Sequence, residues 1–250
     1  MGIAGRTRRG SATAWPLAEA RAQSLDRAQE SAPYALADAL LPYAQRNYAR
    51  ASQLLAPLAE QGNAVAQLKL GIIFSRGKVN SPDHGAALRW FTKAAEQGQA
   101  EAQFELGRIY RDGLGTRVDG KVAAYWFERA AEKDTSHAIN ALGELYLGHQ
   151  DVLQDFAIAR SWFLRGAQLG NSASMYNIGV LYALGQGAVQ DDIEAFKWLE
   201  LAADTGIGEE RDKALRARTL LAERLTPVEV SWAKGRVEDW SRARLSISMN

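Results

Sequence analysis

This sequence predicts an all-α fold, a right-handed α-α superhelix (solenoid) of antiparallel helix pairs built on 36-residue repeats. Three observations carry that prediction. Gly71, Gly107, Gly143 and Gly179 recur every 36 residues, and Trp90, Trp126, Trp162 and Trp198 keep the same interval. The columns Asp83/Asp119/Asp155/Asp191, Phe74/Tyr110/Tyr146/Tyr182 and Ala87/Ala123/Ala159/Ala195 repeat in step with them, so four units run 63–98, 99–134, 135–170 and 171–206 without insertion or deletion. Within each unit apolar residues fall at i, i+4 and i+8, the spacing of a helix with one apolar face. One helical hairpin cannot bury such a stripe, so neighbouring hairpins must stack into a continuous core.

The elements follow in chain order. Residues 1–30 are rich in Arg, Ala and Ser and read as a tail, with a short helix near 17–30 its one candidate element. Residues 31–62 read as a degenerate N-terminal repeat: they end in Ala59-Glu60-Gln61-Gly62 like a full unit but lack the Leu-Gly-x-x-Tyr core. In each full unit the first helix carries Ala-x-Ala-Gln-x-x-Leu-Gly-x-x-Tyr, as at Ala100, Ala102, Gln103, Leu106, Gly107 and Tyr110. A glycine inside a helix costs about 1 kcal/mol relative to alanine, so its recurrence marks a place where the partner helix comes too close for a side chain. Loops such as Gly113-Leu114-Gly115 and Gly185-Gln186-Gly187 then lead to the Asp column, whose carboxylates suit the helix N-cap. The second helix carries Ala123, Trp126-Phe127 and Ala130-Ala131, and the tryptophan column is expected in the core. It closes at Gly98, Gly170 or Gly206, suited to a left-handed position, with Asp134 a poorer fit in the second unit. Residues 207–250 read as capping helices and a tail. A first-type helix spans 208–224, and Thr226-Pro227-Val228-Glu229 is a capping box that starts another, running to about Arg242. Its Val230, Val237 and Trp240 are expected to cover the open end of the stack.

Composition narrows the function classes. Thirty basic against 29 acidic residues leave a formal net charge of +1, without the cationic excess of a dedicated nucleic-acid binder. A hydrophobic fraction of 47% is ample for a core. The absence of cysteine removes disulfides, thiolate metal sites and cysteine nucleophiles together. No apolar run is long enough to span a membrane, and no secretory signal is visible, so a cytoplasmic location is expected, or a periplasmic one if the true start lies upstream. A monomer is expected too.

Residues suited to chemistry are sparse. Of three histidines, His84 falls in an inter-helix loop and reads as solvated. His149 stands in Leu147-Gly148-His149-Gln150-Asp151 without a second ligand or nucleophile. His137 lies near the start of a first helix and faces the groove. The Gly-x-Gly pairs lack the Gly-Lys-Ser/Thr continuation and the preceding strand that a phosphate loop needs. Ser231-Trp232-Ala233-Lys234 has the Ser-x-x-Lys spacing of penicillin-recognising enzymes but none of their other motifs. Arg6, Arg8 and Arg9 form a short basic stretch in the tail. The expectation is a non-enzyme with no catalytic residues, no metal site and no cofactor.

The segments AEAQFELGRIYRDGLG and SASMYNIGVLYALGQGAVQD, with helix endings ALRWFTKAAEQG and AFKWLELAADTG, resemble the SEL-one-like repeat family, a relative of the tetratricopeptide repeat with a longer unit. The resemblance covers residues 63–206. It implies a protein-interaction module, in a family that includes bacterial adaptors, regulators of signalling and envelope assembly, and immunity proteins that neutralise secreted toxins. Its cysteine-rich branch, with a disulfide in each unit, is excluded.

In tetratricopeptide-like stacks the first helices line the concave face, and the resemblance implies the same here. Inward positions that differ between units then form the candidate protein- or peptide-binding site: Leu68, Phe104, Asn140 and Tyr176 in one column, Ile72, Arg108, Glu144 and Val180 in the next, Ser75, Arg111, Leu147 and Ala183 beyond it. Leu68, Ile72 and Phe104 are expected to form an apolar patch beside Arg108 and Arg111, and Tyr176 with Val180 a second. His137 completes the set. An immunity-type protein is one alternative function. A hydrolase on a helical array is another, for which the groove offers only Glu101, His137 and Glu144; a self-assembling scaffold is a third.

Overall fold

The computed structural model describes residues 35–148 and 151–248. Residues 1–34, with the tail arginines and the candidate helix at 17–30, lie outside the described residues, as does His149. Among those described there are twelve helices and no strand. Helix α1 spans 35–44, followed by α2 (Tyr48–Glu60), α3 (Ala64–Ser75), α4 (His84–Glu96), α5 (Ala100–Asp112) and α6 (Gly120–Ala131). Then come α7 (Ser136–Tyr146), α8 (Phe156–Gln168), α9 (Ser172–Leu184), α10 (Asp192–Thr205), α11 (Gly208–Ala222) and α12 (Pro227–Ser248). From α2 to α11 each helix packs on the next, first helix against second and then onto the following unit. That is an α-solenoid.

The recurring residues make the hairpins. Asp83, Asp119, Asp155 and Asp191 each cap a second helix, their carboxylates accepting from the backbone N–H of Ala86, Val122, Ile158 and Glu194 at 2.8–2.9 Å. The N–H of each Asp donates in turn to the carbonyl of Phe74, Tyr110, Tyr146 or Tyr182. The helical glycines lie under a second-helix side chain. A Cβ on Gly71 would stand 2.6 Å from the Phe91 ring, on Gly107 2.6 Å from Phe127, on Gly143 2.4 Å from Phe163 and on Gly179 2.7 Å from Leu199. At those distances a side chain would force the opposing residue to shift, so glycine lets the two helices of a unit approach closely. The second glycine of the Gly-x-Gly loops stacks units as well as turning the chain. A Cβ on Gly115 would lie 2.8 Å from His84 Cβ, and one on Gly187 2.4 Å from the Phe156 carbonyl oxygen.

Four expectations are corrected. The tryptophan column is not the core: Phe91, Phe127 and Phe163 are fully buried, whereas Trp90, Trp126 and Trp162 are only partly so. A helix turns about 100° per residue, so the aromatic next to each Trp takes the inward direction. The Trp leans instead on the seam with the preceding unit, Trp126 on the cluster of α3–α5 and Trp162 on that of α6 and α7. Only Trp198 is buried, against Trp240 at 4.7 Å in an edge-on arrangement. Gly206 is extended (φ −72°, ψ 156°), not left-handed, because α10 continues to Thr205 and the chain turns at Gly208 (φ 55°). Asp134, the poorer candidate, does adopt positive φ (53°). His84 is the first residue of α4 and partly buried beneath the Gly115 turn, not a solvated loop residue. Finally, α12 runs to Ser248, past Arg242.

The C-terminal end departs from the repeat. Helix α11 has no glycine after Gly208, so no second helix can approach it as Phe127 approaches Gly107. Accordingly α12 packs on α10 rather than pairing with α11. The capping box starts it: Thr226 N–H donates to Glu229 Oε2 at 2.8 Å, and Glu229 N–H to Thr226 Oγ1 at 3.3 Å.

Candidate binding groove

Six of the ten candidate residues come together. Phe104, Arg108 and Arg111 from α5 and His137, Asn140 and Glu144 from α7 line one open cavity of about 460 Å³. Its further wall is the α8–α9 turn and the start of α9, with Asn171 and Ser172, and Glu210 of α11. The helical period places Phe104, Arg108 and Arg111 on one stripe of α5, and His137, Asn140 and Glu144 on the matching stripe of α7. The Gly107–Phe127 and Gly143–Phe163 contacts hold each of these first helices against its own second helix.

The other four do not join. Leu68 and Ile72 are only 4% and 5% exposed and belong to the core between α3, α4 and α5, so the expected apolar patch at that end does not exist. Their aliphatic side chains fill the space between adjacent units, where burial of a Leu or Ile is worth roughly 1.5–3 kcal/mol. Tyr176 is partly buried against the C-terminal clusters. Val180 lines a separate, almost wholly apolar hollow of about 240 Å³ between α9, α10 and α11, with Leu184 and Leu220 at its exposed edge.

Polar contacts organise the groove. Arg111 grips Asp112 through two hydrogen bonds of 2.7 and 3.2 Å and reaches Glu144 across the unit boundary at 3.4 Å. The bonds to Asp112 hold its guanidinium above the ordinary arginine range, burial acting against them. Glu144 Oε1 accepts from Asn140 Nδ2 at 2.8 Å, and Asn140 Oδ1 accepts from Ser174 Oγ at 3.0 Å and Asn177 Nδ2 at 3.3 Å. One chain of bonds thus runs from α5 through α7 to α9, across three units. Arg108 Nη1 donates to the buried Glu105 at 2.8 Å. The Phe104 ring lies 5.7 Å from Phe127 and 6.0 Å from the exposed His137 imidazole.

Sequence reasoning missed Asp112, Asn171, Ser172, Ser174, Asn177 and Glu210. Asn171 and Ser172 stand at the start of a unit, a turn or more before the inward positions of the first helix, and Glu210 follows the last full repeat. The polar pairing of Asn140 with Ser174 and Asn177 had a signal: three small polar residues on inward stripes of adjacent first helices.

Chemically the groove can hold a chain segment. Its histidine has no hydrogen-bonding carboxylate or hydroxyl among the described residues. No group of three or more His, Asp or Glu among them could hold a metal ion. No helix among them is long and apolar enough to cross a membrane.

The Sel1 repeat model matches residues 64–99, 100–134, 136–171 and 172–214. The chain belongs to the Sel1 repeat family. Solved structures that resemble it include the following two. A protective antigen of uropathogenic Escherichia coli with an SLR fold is 24% identical over 77% of this chain and 48% of its own, with a TM-score of 0.60. A Sel1 repeat protein from Oxalobacter formigenes is 32% identical over 67% of this chain and 48% of its own, with a TM-score of 0.55. This Sel1 repeat chain therefore spans about half the length of either structure. No protein of curated function matches it. Sel1 repeats are in general protein-interaction modules of scaffold type.

Proposed function

We propose that this Sel1 repeat chain is a non-enzymatic adaptor or scaffold that holds a segment of a partner protein in the groove between α5, α7 and α9. One observation carries the reading: residues that recur from unit to unit cap helices, fill the core or pack at the seams between units, while six that vary converge on a single open cavity. Variation there is what a stack needs if its framework is shared and its surface is specific. The apolar ring of Phe104 among charged and amide groups supplies both a contact area and fixed hydrogen bonds, the ordinary make-up of a recognition surface.

The test is capture of partners by wild type and by Phe104→Asp/His137→Asp, once both show the same helicity. Arg108 is kept, because reversing its charge would set a second carboxylate against buried Glu105. A partner held by wild type and released by the variant supports the groove. A partner held equally by both moves the site elsewhere. Turnover of any substrate in a hydrolase panel, lost in His137→Ala, would overturn the non-enzymatic reading.

A further inference from the structure

We propose that the groove selects a segment with an aspartate or glutamate side chain two residues from an apolar one, the carboxylate docking on Arg108 and the apolar group on Phe104. This rests on the groove being the binding site. Hydrogen-bond capacity at the groove is used unevenly. The carboxylates at the groove are engaged within the chain: Glu105 by Arg108, Glu144 by both Asn140 and Arg111, and Glu210 by Ser172. Arg111 is spent on Asp112 and Glu144. What is left over is donors. Arg108, with its side chain 37% exposed, uses one of its nitrogens and leaves Nε and Nη2 open, and the amide nitrogen of Asn171 has no partner.

A guanidinium edge with two open N–H groups matches a carboxylate held by two parallel bonds. A segment bringing only apolar groups would strip water from Arg108 with nothing in exchange, and a basic one would add repulsion. Geometry sets the spacing. Phe104 and Arg108 are one helical turn apart, about 6 Å along the axis. Two residues of an extended chain cover about 6.6 Å, so an acidic-x-apolar order brings both groups to their places at once.

The probe is a positional-scanning library of octapeptides, acetylated and amidated so that no terminal charge is present, read by fluorescence anisotropy on the full chain. Enrichment of Asp or Glu two residues from Leu, Ile or Phe is expected, and changing that residue to Asn or Gln should weaken binding roughly 10- to 100-fold. Arg108→Gln combined with Glu105→Gln removes that ion pair together with the longer one from Arg76 to Glu105 (3.8 Å), and leaves no unpaired buried carboxylate. It should keep wild-type helicity and lose the acidic preference. Equal binding of the acidic and amide peptides, or enrichment of Lys and Arg, overturns the proposal. Binding only by peptides with a free carboxyl terminus overturns the side-chain assignment in favour of a chain end. If selected peptides ignore the acidic residue yet are lost in Phe104→Asp, the acidic selection fails and the groove stands. If they also ignore Phe104→Asp, or if wild type selects no peptide, both fail.

Discussion

Phe91, Phe127, Phe163 and Leu199 occupy one position of the second helix, and a glycine stands opposite each. Truncating Phe127 opens a cavity at the centre of a unit and should cost about 3–5 kcal/mol. Trp126, the larger ring, is only partly buried at the seam, and its loss to alanine should cost less, about 1–3 kcal/mol. Urea denaturation of the two variants side by side checks this; equal losses would return the tryptophan to the core. The glycine side is tested by Gly107→Ala. Helix propensity alone would favour alanine by about 1 kcal/mol. The new Cβ would meet the Phe127 ring at 2.6 Å, and such overpacking costs typically 1–3 kcal/mol. Overpacking is expected to win, and a variant more stable than wild type would show that the ring can move aside.

At the scale of the helix, charge placement decides. Asp204 lies in the last turn of α10, where the helix dipole is negative, and four residues after Glu200. Burial first, and then the Glu200 charge, raise its carboxyl pKa, with Arg211 and Arg218 opposing. A raised folded-state carboxyl binds its proton more tightly than the unfolded chain does. Its contribution is therefore present in acid and lost as pH rises through the folded pKa. Asp204→Asn should match wild type below the ordinary aspartate value of about 3.9 and exceed it at neutral pH. Thermal melts across that range give the answer, and a variant weaker than wild type at pH 7 would refute it. Helices of this chain are well marked in its sequence because cap, stripe and turn residues recur in register. The groove is less so. A column of variable residues on a first helix contains both Leu68, sealed between units, and Phe104, which lines the cavity. Which one a position becomes depends on the neighbouring unit's side chains, and periodicity within a helix carries no information about them. Phe127 beside Trp126 posed a similar difficulty, since two adjacent aromatics compete for one inward direction.

On the scale of the whole molecule, the stack is a chain of nearest-neighbour contacts, so stability is distributed along it rather than held in one nucleus. Among the described residues the first and last units each pack on a single neighbouring unit. Helix α12 compensates by laying Trp240 on Trp198 and setting Val230 and Ala233 in the cluster around Phe196. Stopping the chain after Leu225 should therefore expose Trp198 and loosen α9 and α10 while α3–α6 keep their protection. Hydrogen exchange resolved by segment measures this, and uniform loss of protection along the chain would contradict it.

The missing glycine of α11 has a consequence for how such a chain can grow. An array whose joints are alike can gain or lose a unit by duplication of its coding segment wherever two matching joints meet. Here that condition holds at the boundaries between the four full units. After α10 it fails, because α11 offers no seat for a following hairpin and α12 crosses to α10 instead. Change in length is thereby confined to the interior, and the C-terminal pair travels as a fixed stop.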